Sequence, residues 1–232
     1  TADVALTPAS ITERTQIGQL PNGIRYAILP RKVKGDRVNL SLNLQWGNLQ
    51  NLSGRWREAD LLDTMMLSGT KQLQRQAFED RLRALDARLS IDANASGAKV
   101  SLSVPARNLS EALTLAASAL REPVFPKDVF QERRDQVLTG IEAQRHQPEA
   151  LAAEAMAVRG HAYPTDDPRH YRTMDEVVTD LKAQTPERLT KFWQDFAGVS
   201  HGQFSVVGNV DPEALKTELQ KLLGDWKSPQ AY

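Results

Sequence analysis

The sequence predicts an α+β domain with a largely antiparallel sheet and helices packed on one face. Three observations predict it. Val38, Leu40, Leu42, Leu44 and Trp46 alternate with Asn39, Ser41, Asn43 and Gln45, the pattern of a strand with one buried face. Two hairpin signals flank that strand, Pro21-Asn22-Gly23 before it and Ser96-Gly97 after it. The strands also cluster, instead of alternating one by one with helices as a parallel sheet requires.

Taken in order, residues 1–16 are polar and read as a linker. Residues 17–29 set Asn22-Gly23 between two apolar runs, and both positions accept positive φ at little cost. Residues 47–54 break the long strand, and a helix is expected over residues 55–67. A second helix is expected over residues 75–88, with Phe78, Leu82, Leu85 and Leu89 at helical spacing. A hairpin pairs Leu89, Ile91 and Ala93 with Val100, Leu102 and Val104. Ser110 is a candidate N-cap for the helix that carries Leu113, Ala116 and Leu120.

A long helix over residues 126–146 and a shorter one over 148–160 precede a loop rich in Pro and Asp at 163–171. In Thr185-Pro186-Glu187 a capping threonine precedes proline at the first helical position, opening a helix to Phe196. A strand at 204–207 and a helix from Asp211-Pro212-Glu213 to Gly224 close the series. No Gly/Ser linker or compositional shift divides residues 17–232, so a single domain is expected there.

Composition narrows the function classes. Lys+Arg and Asp+Glu both number 29, which gives no electrostatic reason to expect a nucleic-acid or acidic-membrane partner. The absence of cysteine excludes disulfides, thiolate zinc sites and a cysteine nucleophile. No apolar run approaches ~18 residues, so no membrane-spanning helix is expected. Residues 1–6 carry neither an initiator methionine nor a signal-peptide pattern, and the chain is expected to be an internal piece of a longer one. There is no Gly-x-Ser-x-Gly elbow, and Val207-Gly208-Asn209 lacks the other glycines and the lysine of a phosphate loop. His146, His161, His170 and His201 are not at ligand spacing to one another.

The segment at 55–67 holds the chemistry worth weighing. Trp56, Ala59, Leu61, Leu62, Met65, Met66 and Leu67 make it apolar around most of its circumference. Arg57, Asp60, Asp63 and Thr64 fall at i, i+3, i+6 and i+7, one narrow polar stripe. Such a stripe faces either solvent or an internal cavity. Asp60 and Asp63 alone are too few carboxylates for a cation cage.

Here a family resemblance enters. Leu20-Pro21-Asn22-Gly23-Ile24-Arg25 resembles the opening strand motif of the insulinase- and pitrilysin-like zinc peptidases, family M16. Asp60-Leu61-Leu62-Asp63-Thr64-Met65-Met66-Leu67-Ser68-Gly69-Thr70 is similar to their metal helix, His-Leu-Leu-Glu-His-Met-x-Phe-x-Gly-Thr. In active members the two histidines bind zinc and the glutamate is the general base. Spacing i, i+4 sets both imidazoles one helical turn apart, with the i+3 carboxylate near the bound water.

The resemblance puts Asp60 at the first histidine, Asp63 at the glutamate and Thr64 at the second histidine. The third ligand, a glutamate roughly 75–80 residues on, falls on Gly140 in Arg133-Arg134-Asp135-Gln136-Val137-Leu138-Thr139-Gly140-Ile141. Glu142 lies about 200° around the helix from Gly140. His161-Ala162-Tyr163-Pro164, Thr185-Pro186-Glu187 and Phe204 through Glu213 resemble the family's closing elements, so the likeness spans residues 17–228.

The resemblance implies the fold shared with LuxS and the mitochondrial processing peptidase. It also implies a degenerate domain with no metal or cofactor of its own, placed first in the C-terminal half of a longer chain. Zinc is then expected in a homologous catalytic half, and Arg57, Asp60, Asp63 and Thr64 are candidates to line the peptide chamber between the halves. Periplasmic or secreted location follows from the same likeness. The alternative it implies is a non-enzymatic scaffold, like the core subunits of the respiratory bc1 complex.

Overall fold

A computed structural model describes residues 8–32 and 34–232; residues 1–7 of the expected linker lie outside these. Within the remainder of that stretch, Pro8–Arg14 form helix α1 and Gln16 opens the first strand.

Among the described residues, six strands make one sheet: β1 Gln16–Gln19, β2 Arg25–Pro30, β3 Arg37–Gln45, β4 Arg88–Asn94, β5 Gly97–Pro105 and β6 Gly202–Gly208. Their order is β1-β2-β6-β3-β5-β4. Only β2 and β6 run parallel; every other neighbouring pair is antiparallel. The late strand β6 therefore inserts between two early ones and ties the C-terminal third of the chain to the N-terminal hairpin. The turn of that hairpin depends on Gly23, whose φ of 94° is strained for any side chain.

The strand alternation divides the sheet sharply. One face carries Ile28, Val38, Leu40, Leu42, Leu44, Val100, Leu102, Val104, Phe204 and Val206, all buried. Helices α5 (Leu109–Arg121), α9 (Pro186–Phe196) and α10 (Pro212–Leu223) contribute much of the opposing core, including Leu113, Leu120, Phe192, Trp193, Leu219 and Leu223. Trp193 is buried and donates its indole N–H to the Leu120 carbonyl at 2.7 Å, while its ring meets Trp46 edge-on at 5.4 Å. A buried indole needs such a partner. The other face of the sheet is polar. Across it, Ser90, Ser101, Ser41, Ser205 and Ala27 pair in one register row from β4 to β2.

The remaining helices are α2 Leu49–Leu52, α3 Leu62–Met65, α4 Arg75–Ala84, α6 Lys127–Gln144, α7 Pro148–Gly160 and α8 Met174–Ala183. Several differ from expectation, each for a physical reason. The helix expected over residues 55–67 is broken into a 3-10 turn at Trp56–Ala59 and the single turn of α3. The carbonyl of Arg57 accepts from Asp60 N at 3.3 Å and from the buried Gln184 side-chain amide at 2.6 Å. That tightens the turn and diverts an acceptor that an α-helix would need.

Helix α4 stops at Ala84 because Asp86 turns left-handed, with φ of 50°. Ser110 is not a cap: a 3-10 turn at Ala106–Asn108 runs straight into α5, and the Ser110 hydroxyl instead bonds Glu218 of α10. Helix α8 has no counterpart among the elements expected from the sequence, although Thr173 and Glu176 form a reciprocal capping box that announces it.

Candidate functional site

The broken turn at residues 56–65 sits beside the end of the sheet. Ala59, Leu61, Leu62, Met65 and Met66 are buried and fix it to the core, α3 lying against β4 and α6. The polar residues of this segment go to different places. Asp63 and Thr64 are exposed. The Thr64 hydroxyl donates to the Leu61 carbonyl at 3.1 Å, a bond that ends within its own turn. Asp63 and Asp60 line an open hollow with Asn43, Gln45, Asp92 and Lys99.

Asp60 is drawn into an ion cluster. Both of its carboxylate oxygens accept from the Arg172 guanidinium, each at 2.7 Å. Arg172 also donates to Asp180 at 2.9 Å, and Asp180 accepts from Arg57 at 3.4 Å. The Arg172 side chain is only 13% exposed and that of Asp60 only 14%, so this is a shielded fork-to-fork pair. Burial opposes the charge on Arg172, but hydrogen bonds and charge from Asp60 and Asp180 outweigh it and hold its pKa above the ordinary guanidinium value.

The Trp56 ring completes the cluster, with Arg172 4.6 Å and Arg57 5.4 Å from it. Arg57 also bonds the Thr165 carbonyl. The cluster thereby pins the loop before α8, and α8 itself, to the 3-10 turn. A second chain of ion pairs, Arg188–Glu58–Arg55–Asp195, fastens the other side of that turn to α9.

Gly140 lies on the exposed side of α6, and a Cβ there would meet nothing within 4 Å. Packing does not demand a glycine at this position. Glu142 turns away, pairing with Arg145 at 3.5 Å and His146 at 3.8 Å. Among the described residues, no three His, Asp or Glu side chains come together as a metal cluster. No helix among them is long and apolar enough to cross a membrane.

Of the four stripe residues, the structure thus joins Arg57 and Asp60 in one cluster and leaves Asp63 and Thr64 outside it. Arg172 and Asp180 are ion-pair partners of this cluster that the sequence does not single out. Their signal is faint: an arginine and an aspartate eight residues apart, around a helix that the sequence-based expectations omit.

The sheet order, with a short helical turn and α6 packed together beside its end, defines a domain of the insulinase-like class. The sequence pattern of insulinase (peptidase family M16) matches residues 27–169, well over half of the chain. The chain belongs to this family. The probable zinc protease PqqL of Escherichia coli is 30% identical over 225 residues, which cover 90% of this chain and 23% of that protein. The chain therefore spans about a quarter of the length of this curated relative.

Among solved structures, an inactive M16 peptidase domain from Pseudomonas fluorescens superposes with a TM-score of 0.75 at 19% identity. That match covers 94% of this chain and 52% of the other, and at this identity it speaks for the fold alone. The periplasmic protease PqqL of E. coli matches with a TM-score of 0.67 at 25% identity, over 94% of this chain and 24% of that one. Its separately solved first half matches equally well, with 47% of that half covered.

Proposed function

We propose that this chain is a non-catalytic domain of an M16-type zinc peptidase, which helps to enclose a peptide chamber while a homologous half outside this sequence carries out hydrolysis. The observation that carries the reading is the state of the ligand positions. The residues present do not fit a zinc ion. Asp60 gives both oxygens to Arg172, whose fixed positive charge disfavours a cation on the same carboxylate. Thr64 spends its hydroxyl on a local carbonyl, and Gly140 has no donor. Three positions on two elements agree, so no step of peptide hydrolysis is derived for this chain.

Two surfaces suit a wall. The polar hollow bounded by Asp60, Asp63, Asp92 and Lys99 offers hydrogen-bonding groups to an extended peptide. The serine row on the open sheet face, flanked by Asn39, Arg88 and Lys99, adds a second polar surface. Periplasmic location is part of the proposal, supported by the description of PqqL as a periplasmic protease.

We place the chain as the first domain of the degenerate C-terminal half, on the strength of the lost ligands. The match to the first half of PqqL favours an N-terminal position instead. Reading the parent gene decides between them: about half of the protein preceding this sequence supports the C-terminal placement, and an intact His-x-x-Glu-His upstream, with its distal glutamate, supports the peptidase reading. Its absence from the whole gene favours the scaffold reading. The direct test mixes this chain with its catalytic half and follows cleavage of an unstructured peptide. Cleavage that requires both parts supports the proposal, and cleavage by the other half at an unchanged rate without this chain refutes it.

A further inference from the structure

Helix α7 is weakly supported by the rest of the fold. None of its 13 residues is buried. The stripe turned toward the body is Ala150, Glu154 and Ala157, each partly covered. Glu154 accepts from the Met174 backbone N–H at 2.6 Å, tying α7 to the start of α8, and the Ala157 carbonyl meets His161 Nδ1 at 3.0 Å. The larger apolar side chains point the other way. Leu151 is 47% exposed, Met156 76% and Val158 44%.

Leu151, Ala155 and Val158 fall at i, i+4 and i+7 and make one outward stripe, with Ala152 and Met156 beside it. A helix this short gains little from its own hydrogen bonds in water and draws most of its stability from burying an apolar face. Here the apolar face is turned outward.

We infer that the outward face of α7 is a docking surface for a second domain of the same polypeptide. This rests on the reading of the chain as one domain of a longer M16 protein. The occupant follows from the lengths of the relatives. The same fold makes up 52% of the P. fluorescens structure and 47% of the first half of PqqL, so in both it shares its chain with a comparable length of polypeptide. The alanines at 152 and 155 suit that partner, because small residues beside Leu151 and Met156 leave grooves into which an apposed helix can set its ridges. Glu149 and Arg159 at the two ends supply a charged rim.

These 232 residues contain no cysteine, and any cysteine elsewhere in the full-length protein is first replaced by serine. In the full-length protein, Met156→Cys and, as a control, Arg83→Cys on exposed α4 are each labelled with a small maleimide. The expected result is labelling at position 156 at least tenfold slower than at 83. A benzophenone maleimide attached at 156 in the full chain is then photolysed, and its cross-links are mapped. Cross-links to residues of the same polypeptide outside this sequence are expected. Equal labelling at the two positions, or cross-links confined to residues 1–232 or to a second copy, overturns the proposal. Neither readout involves zinc or cleavage. A fully accessible position 156 beside an inactive, zinc-free domain would refute the docking surface and leave the functional reading intact.

Discussion

Arg172 owes its position to what its charge satisfies. Its guanidinium bridges two carboxylates on separate elements, Asp60 near the sheet end and Asp180 on α8, with the Trp56 ring against it. Removing one member of a shielded pair strands the other, so Asp60→Asn or Arg172→Met is expected to cost about 2–3 kcal/mol of stability. The double variant should cost clearly less than the sum, because neither change then leaves the other's charge behind. Urea denaturation of the four chains measures this, and additive losses would contradict the cluster. Glu176 gives a second residue-level prediction. The Thr173 backbone N–H, followed by His170, holds its pKa below the ordinary carboxylate value. A depressed folded-state pKa means that this contribution is present above the unfolded-state pKa and lost as pH falls through the folded one. Acidification should therefore weaken the start of α8 in the parent and not in Glu176→Gln, which backbone exchange in residues 173–178 can follow.

Elements built on strong periodicity or an unambiguous cap are legible in the amino-acid sequence alone. The long strand, the first hairpin, α9 and α10 need only alternation, Asn-Gly, or Pro after Thr or Asp, while Ser96-Gly97 and the prolines at 126 and 148 mark the second hairpin and the starts of α6 and α7. What escapes is set by long-range contacts. The helix expected over residues 55–67 is broken because Gln184, over a hundred residues away, captures the Arg57 carbonyl. The polar stripe is visible in the sequence, but its division is not, since the partner that claims Asp60 lies on the far side of α6 and α7 in sequence. The family pattern marks Gly140 as a missing ligand, and the structure adds that nothing packs against it. Gly140→Ala should accordingly raise stability by about 0.5–1 kcal/mol, the ordinary gain at an exposed mid-helix site. A loss on thermal unfolding would reveal a contact at that position. By contrast, Gly208→Ala should destabilise, because φ is 153° and a Cβ there would come within 2.7 Å of Val38 Cα.

At the scale of the molecule, the domain has the architecture of its family, and on the proposed reading its ligand positions have taken other work. The core, the sheet order and the two packed segments that would carry ligands are all in place, and an internal arginine supplies the positive charge beside Asp60. On the proposed reading, the open polar sheet face and the outward face of α7 meet other parts of a longer protein. If the sheet face lines the chamber, Ser41→Arg with Ser101→Arg should shift the peptide preference of the assembled enzyme toward acidic substrates. The two arginines stand directly opposite each other across β3 and β5, so some loss of stability is expected, and preference is read under conditions where the variant stays folded. Unchanged preference would assign that face to the exterior. The most direct test of the central claim is the zinc content of this chain, purified without chelator and dialysed against excess zinc. The account predicts no stoichiometric zinc, and one tightly held zinc per chain would contradict it.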